Sequence, residues 1–279
     1  MLYDPKNDSY IELETNKALR FLYHTVPGRV LLKVVTSPII SKIGGAYMNS
    51  AISVRHIKKF IKKNNINMDE YHTKKWKSFD DFFTRKIRSK YRPIDKDPDA
   101  FVSPCDGRLS VYDIKEDTTF EIKGSHYTVE SLLMDNTHAQ EFAGGKALVF
   151  RLCVDDYHRY GYPADGHILF LLNVKGRLHT VRPIALEKYP VFIQNARSVT
   201  LIKTNNFDTI AQVEVGALMI GKIENHKAGG PVEKGDIKGM FHYGGSTIVV
   251  LTKKGVLNIP EHDEEVRVKY GQRVNALLR

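Results

Sequence analysis

KALVFRLCV (146–154), SVTLIKT (198–204) and STIVVLT (246–252) decide the fold. Each run is short, rich in β-branched residues and separated from the next by Gly, Asn, Asp or Pro, which is the pattern of a strand. LSVYDI (109–114), GHILFLLNV (166–174) and TIAQVEVGALMIGKI (209–223) read the same way. Only TVESLLMD (128–135) among them reads as a helix. Strands and helices do not alternate, so a parallel doubly wound sheet is not expected. The expectation for residues 96–279 is a predominantly antiparallel β domain.

Upstream the texture is different. NKALRFLY (16–23) carries apolar residues on one face, and Pro27-Gly28 is expected to break that helix. RVLLKVVT (29–36) follows, and then Pro38 and Gly44-Gly45 punctuate the chain. HIKKFIKK (56–63) sets Ile57, Phe60 and Ile61 on one face and four lysines mostly opposite, the spacing of an amphipathic helix. Such a helix either lies in a membrane interface or packs on its own core, and the pattern alone favours packing. Ser78, with Asp81 three residues on, reads as a helix start, the helix running to about Arg88. YRPIDKDPDA (91–100) reads as a linker. The fold class is therefore α+β: a basic helical region over 1–95, then the β domain over 96–279.

Residues 1–95 hold 19 basic and 9 acidic residues, which accounts for the whole formal charge of +10. That asymmetry suits a polyanionic partner, either nucleic acid or an anionic membrane, or simply a solvated basic face. The 279 residues, 42% hydrophobic, can bury a core, which excludes a disordered chain. No run of 18 apolar residues offers a spanning helix. MLYDPKNDSY does not read as a signal peptide, and two cysteines, Cys105 and Cys153, make no disulfide framework. They read as buried small hydrophobes, and no spacing of His, Cys and carboxylates suggests a metal.

Three residues carry candidate chemistry. Asp106 lies in SPCDGR just before a strand, His158 lies in VDDYHRYGYP just after one, and Ser246 opens a strand behind two glycines. Carboxylate, imidazole and hydroxyl are the parts of an activated nucleophile in any chain order. Singly each is weak, since Gly-Gly-Ser-Thr is usually only a turn entering a strand. The spaced glycines of 213–245 also resemble the small β modules that carry biotin or lipoyl groups, but no lysine tip stands out, so that likeness extends to architecture alone.

The combination is far more specific. FFTRKIR, RPID, SPCDGR, KGSHYTVESLL, FAGG, DDYHRYGYPADG, HTVRPIAL, VEVGALMIGKIE and KGDIKGMFHYGGSTIVVL, in that order, resemble the phosphatidylserine decarboxylase family. The likeness covers about residues 75–256 in detail. It implies an enzyme that cuts itself between Gly245 and Ser246, giving a large chain (1–245) and a small chain (246–279) whose first residue becomes a pyruvoyl group. The family's charge-relay aspartate falls on Asp106. Its DYHRxH motif falls on Asp156 to Gly161, with His158 as the first histidine and Gly161 where the second would stand. His158 would then serve both cleavage and decarboxylation, or another group such as His179 would cover one role.

The chemistry is consistent with that likeness. A carboxylate leaves as CO2 only when the carbanion has an electron sink, and a pyruvoyl group condensed with the substrate amine as a Schiff base supplies one. No phosphate-binding or lysine-centred pyridoxal motif is evident in the sequence. The likeness also implies phosphatidylserine as substrate, phospholipid biosynthesis as the setting, and an anionic membrane surface at the cytoplasmic face of the cell membrane as partner rather than nucleic acid. A homo-oligomer is left open. So are two other readings: an unprocessed membrane-surface protein on this scaffold, and a pyruvoyl decarboxylase of another amine.

Overall fold

The computed structural model describes residues 2–4, 9–11, 17–122, 124–181, 183–186, 189–217, 222–243 and 246–276. The fold is α+β, with helices concentrated in the first third. The helices are α1 (Lys17–His24), α2 (Val26–Val35), α3 (Pro38–Met48), α4 (Ile57–Lys63), α5 (Phe79–Phe83), α6 (Val129–Leu133), α7 (Asn136–Ala139), α8 (Pro183–Leu186) and α9 (Val191–Gln194). The strands begin with the hairpin β1 (Leu2–Asp4) and β2 (Ser9–Ile11), followed by β3 (Gly107–Asp113), β4 (Thr119–Ile122), β5 (Ser125–Thr128), β6 (Lys146–Leu152), β7 (Arg159–Gly161) and β8 (Gly166–Val174). The remainder are β9 (Arg197–Thr204), β10 (Thr209–Val215), β11 (Ile223–Asn225), β12 (Gly230–Val232), β13 (Ile237–Phe241), β14 (Ser246–Thr252) and β15 (His262–Val268).

One eight-stranded sheet dominates, in the order β12-β8-β9-β10-β14-β6-β3-β15, and every neighbouring pair is antiparallel. Its central strands β10 and β14 are buried along their whole length because both faces are covered. On β14, Val249 and Leu251 enter one core with Tyr112, Val213 and Phe192. Ile248 and Val250 enter the other with Phe150, Tyr160 and Phe241. That alternation is the two-residue period of a strand. The second face is covered by a small sheet, β11-β13-β7.

The helical region is built into this body. Tyr23 of α1 and Leu32 of α2 belong to the first core, and the Tyr23 hydroxyl accepts from the Thr180 amide at 3.1 Å. Tyr23 and Leu32 thus share a core with residues beyond 95, whereas Ile57, Phe79, Phe82 and Phe83 form a cluster of their own. The break expected at Pro27-Gly28 falls at Thr25, whose hydroxyl caps α2 by accepting from the Gly28 amide at 3.0 Å. Proline is tolerated in a first turn because the N–H it lacks has no partner there anyway. The same reason lets Pro38 open α3, and Gly44-Gly45 lie inside that helix. The helix expected from Ser78 to about Arg88 ends at Phe83.

α4 packs on its own core, as the pattern favoured. Ile57 is buried, and the Phe60 ring meets Phe79 edge-on at 5.1 Å. The exposed apolar face belongs instead to α2 and α3. Val26, Val30, Ile39 and Ile43 are each more than 60% exposed, with Arg29, Lys33 and Lys42 exposed among them. Among the described residues no single helix is long and apolar enough to cross a membrane, although α2 and α3, bent by 63°, satisfy length and composition together.

Candidate active site

Ser246 opens β14, the strand between β10 and β6, and stands opposite Leu152. It shares its sheet face with Ile248, two residues on, so its side chain is turned toward the second core. The residue is 1% exposed and its hydroxyl has no hydrogen-bond partner among the described residues. A buried unpaired hydroxyl is costly, which makes it a position to explain. Gly244 and Gly245, where the cleavage motif falls, lie outside the described residues.

His158 precedes β7 and is fully buried. Its Nδ1 lies 2.9 Å from the Asp156 carbonyl, so Nδ1 is the protonated nitrogen and Nε2 carries the lone pair. Nε2 has no partner. The ring rests on Phe83 with centroids 4.0 Å apart. Burial pushes its pKa down to about 3, helped by the Arg85 guanidinium and opposed by the Asp156 bond. The imidazole is therefore neutral, the form that accepts a proton.

Asp106 sits elsewhere in the network. Arg92 grips it with both arms, Nε at 2.7 Å and Nη2 at 2.5 Å, and the Tyr270 amide donates at 2.8 Å. It makes no bond to His158. The orienting acceptor expected of Asp106 is instead the carbonyl of Asp156. Chain distance hides this from sequence, because Arg92 and Tyr270 lie 14 and 164 residues from Asp106.

Gly161 lies in β7, where its amide donates to Pro104 at 2.8 Å. A Cβ there would stand 2.5 Å from the Asp236 carbonyl oxygen and closer still to the Tyr270 hydroxyl. His179 has its ring stacked on Tyr189 at 4.8 Å and lies 3.3 Å from the Tyr23 hydroxyl. Burial, with the Arg177 charge, lowers its pKa to about 4. The Asn195 side-chain amide ties it toward β14 by donating to the carbonyls of His179 and Gly216, at 2.8 and 2.7 Å. Gly216 follows Val215, the partner of Thr247.

Other buried polar groups stand near the site. Lys238 and Glu214, both fully buried, pair at 2.7 Å on the face that Ser246 shares. Arg85 is buried with its guanidinium 4.2 Å above the Tyr71 ring. His242, four residues before Ser246, bonds Asp80 through Nδ1 at 2.7 Å and Glu224 through Nε2 at 3.2 Å. Cys105 and Cys153 are free thiols. Among the described residues no group of three His, Cys, Asp or Glu side chains is placed to hold a metal ion.

The family model for phosphatidylserine decarboxylase matches residues 79–276. The chain belongs to the phosphatidylserine decarboxylase family. That is a family of lyases, and the resemblance read from the motifs is the same one. The chain is 42% identical over 279 residues to phosphatidylserine decarboxylase proenzyme 2 of Clostridium acetobutylicum, covering 97% of this chain and 96% of that one. It is 36% identical to the proenzyme of Ruminiclostridium cellulolyticum, covering 93% and 89%, and 35% identical to that of Clostridium botulinum, covering 99% and 96%. The family match spans Asp106, His158, Gly161 and Ser246 alike.

Proposed function

We propose that this chain cuts itself between Gly245 and Ser246 and then converts phosphatidylserine to phosphatidylethanolamine and CO2. The observation that carries the reading is the pair of buried polar atoms without partners among the described residues, Ser246 Oγ and His158 Nε2, within the family-matched body. A serine at the head of a central strand, with a neutral imidazole in the same body, is the donor set from which a pyruvoyl group is made.

Ser246 Oγ attacks the Gly245 carbonyl carbon while His158 Nε2 takes its proton. The peptide C–N bond breaks, the proton passes to the departing nitrogen, and an ester links Gly245 to Ser246 Oγ. β-Elimination then releases the Gly245 carboxylate, and the nitrogen leaves as ammonia on hydrolysis. The pyruvoyl group at position 246 supplies the electron sink for loss of the substrate carboxylate. His158, held by Phe83 and the Asp156 carbonyl, positions the carboxylate and moves the proton back to carbon. Asp106 is a positioning carboxylate that fixes Arg92 and the backbone at Tyr270.

The setting is the surface of an anionic membrane at the cytoplasmic face, where the protein binds peripherally. The exposed apolar face of α2 and α3, interspersed with Arg29, Lys33 and Lys42, supports this. A second reading, an uncleaved membrane-surface protein, draws on the crowded Gly161 and on Asp106 bonding Arg92 and Tyr270 and not His158. One experiment separates them: a denaturing gel and intact mass of the purified protein, with CO2 release from phosphatidylserine vesicles. Two chains and CO2 support the enzyme, and a single inactive chain supports the second reading.

A further inference from the structure

A cavity of about 450 Å³ lies between α3 and the segment leading into Ser246. Ser41, Lys42 and Asn49 line it on one side and Asp80, Lys222 and His242 on the other. The His242 amide donates to the Lys222 carbonyl at 3.0 Å, which ties the residues of the second side to each other. Ser41 is 6% exposed, yet its hydroxyl has no partner among the described residues. Lys42 makes no ion pair among the described residues. Asp80 presents no free oxygen, because Oδ2 meets His242 Nδ1 and Oδ1 accepts from the Tyr243 amide at 2.9 Å. Lys222 lies 3.3 Å from Glu224, which also bonds His242. With His242 protonated, Lys42, Lys222 and His242 face Asp80 and Glu224, and one positive charge is left over.

We infer that this cavity seats the phosphodiester of the lipid headgroup, a singly charged anion. Lys42 and Lys222 meet its charge, and the Ser41 hydroxyl donates to one of its oxygens. The His242–Asp80–Glu224 cluster forms the inner wall. The outer side of α3 bears Ile39 and Ile43, so acyl chains leave the cavity directly into the apolar face. In phosphatidylserine the amine is only a two-carbon link beyond the phosphate oxygen, and His242 is only four residues from Ser246. The site thus deepens the decarboxylase reading and rests on it for its substrate.

Two assays on the full chain test it. Calorimetry on the uncleaved Ser246→Ala protein measures glycerophosphoserine and inorganic phosphate separately. Glycerophosphoserine should bind, and adding Lys42→Gln or Lys222→Gln should weaken it about tenfold, the loss of one charged hydrogen bond. Binding that neither substitution changes overturns the proposal, and so does inorganic phosphate binding as tightly as glycerophosphoserine. Turnover on phosphatidylserine vesicles should show KM raised about tenfold in either variant, with kcat and the two-chain gel pattern held within about twofold. A protein that binds glycerophosphoserine through these lysines but releases no CO2 keeps the anion site and sinks the decarboxylase reading. CO2 release with an unchanged KM does the reverse.

Discussion

The Tyr270 hydroxyl occupies the space that any side chain at Gly161 would need, and it is fixed there by donating to the Gly235 carbonyl at 2.8 Å. The family motif carries a second histidine at this position, and restoring it is the obvious experiment. Gly161→His should instead lower stability, by about 1–3 kcal/mol for an overpacked site. Pairing it with Tyr270→Ala should recover only part of the loss, because the Asp236 carbonyl crowds the same Cβ. Denaturant midpoints of the three variants check this. A stable Gly161→His protein that cleaves faster than wild type would contradict it.

Asp106→Asn should both destabilise the protein and slow cleavage. Asp106 and Arg92 are 8% and 7% exposed, so losing the carboxylate leaves a buried guanidinium with Glu70 alone. Breaking such a pair costs about 3 kcal/mol. The informative companion is Arg92→Gln. If Asp106 acts by holding the Arg92 and Tyr270 segments, the two variants should slow cleavage by similar factors on a time-course gel. Normal cleavage in Arg92→Gln with slow cleavage in Asp106→Asn would point to direct action of Asp106 on the reacting groups.

These two sites show where sequence reading reached its end. The central strands were legible because both faces are buried, so β-branched runs such as 146–154 announce themselves. Ser246 was legible because its motif is contiguous. The partners of Asp106 were not, because a turn residue can aim its carboxylate several ways, and register alone brings Tyr270 to it. Helix α3 is hidden in the sequence for a local reason: Pro38 reads as punctuation, whereas in a first turn it starts a helix. The Asp80–His242 pair joins residues 162 apart and leaves no periodic trace.

Stability should pass through a maximum near pH 6.5. His158 and His179 have folded pKa values lowered to about 3 and about 4. Below pH 6.5 the unfolded chain therefore binds more protons, and stability is lost as pH falls, by about 1.4 kcal/mol per unit for each group. Asp156, raised to about 6 by burial against the Arg108 charge, opposes this between about pH 4 and 6. His242 has the opposite sign. Burial alone would lower its pKa, but its bonds to Asp80 and Glu224 raise it overall. Its contribution is full below pH 6.5 and is lost as pH rises through its folded value. Asp80→Asn should flatten the alkaline limb of a denaturation series and leave the acid limb unchanged.

Membrane binding should depend on α3 more than on α4. Ile39→Ser with Ile43→Ser removes two side chains that are 69% and 63% exposed, and should weaken flotation with anionic vesicles about tenfold or more. Lys62→Ser with Lys63→Ser should weaken it less, and only at low salt, because exposed charges are screened over about 8 Å at physiological ionic strength. Equal losses in the two pairs, or an effect of the lysines that survives high salt, would count against an apolar anchor.

The last prediction concerns the Gly245–Ser246 bond. The mature protein should be two chains, residues 1–245 and 246–279. The second should begin with a carbonyl in place of an amine, resist stepwise N-terminal sequencing and react with hydroxylamine. Ser246 is 1% exposed in the uncut chain, so the lipid cannot reach it there, and cutting must precede turnover. Ser246→Ala should stay whole and release no CO2. His158→Gln should also stay whole or cleave more slowly by about 100-fold, the span of a single general base. Its fold should tolerate the change, because an uncharged side chain replaces an uncharged imidazole. A full-length wild-type protein that decarboxylates phosphatidylserine would remove Ser246 from the mechanism. Cleavage at the wild-type rate in His158→Gln would leave Ser246 as nucleophile and move the base to another buried group, of which the Lys238–Glu214 pair on the same sheet face is the first to examine.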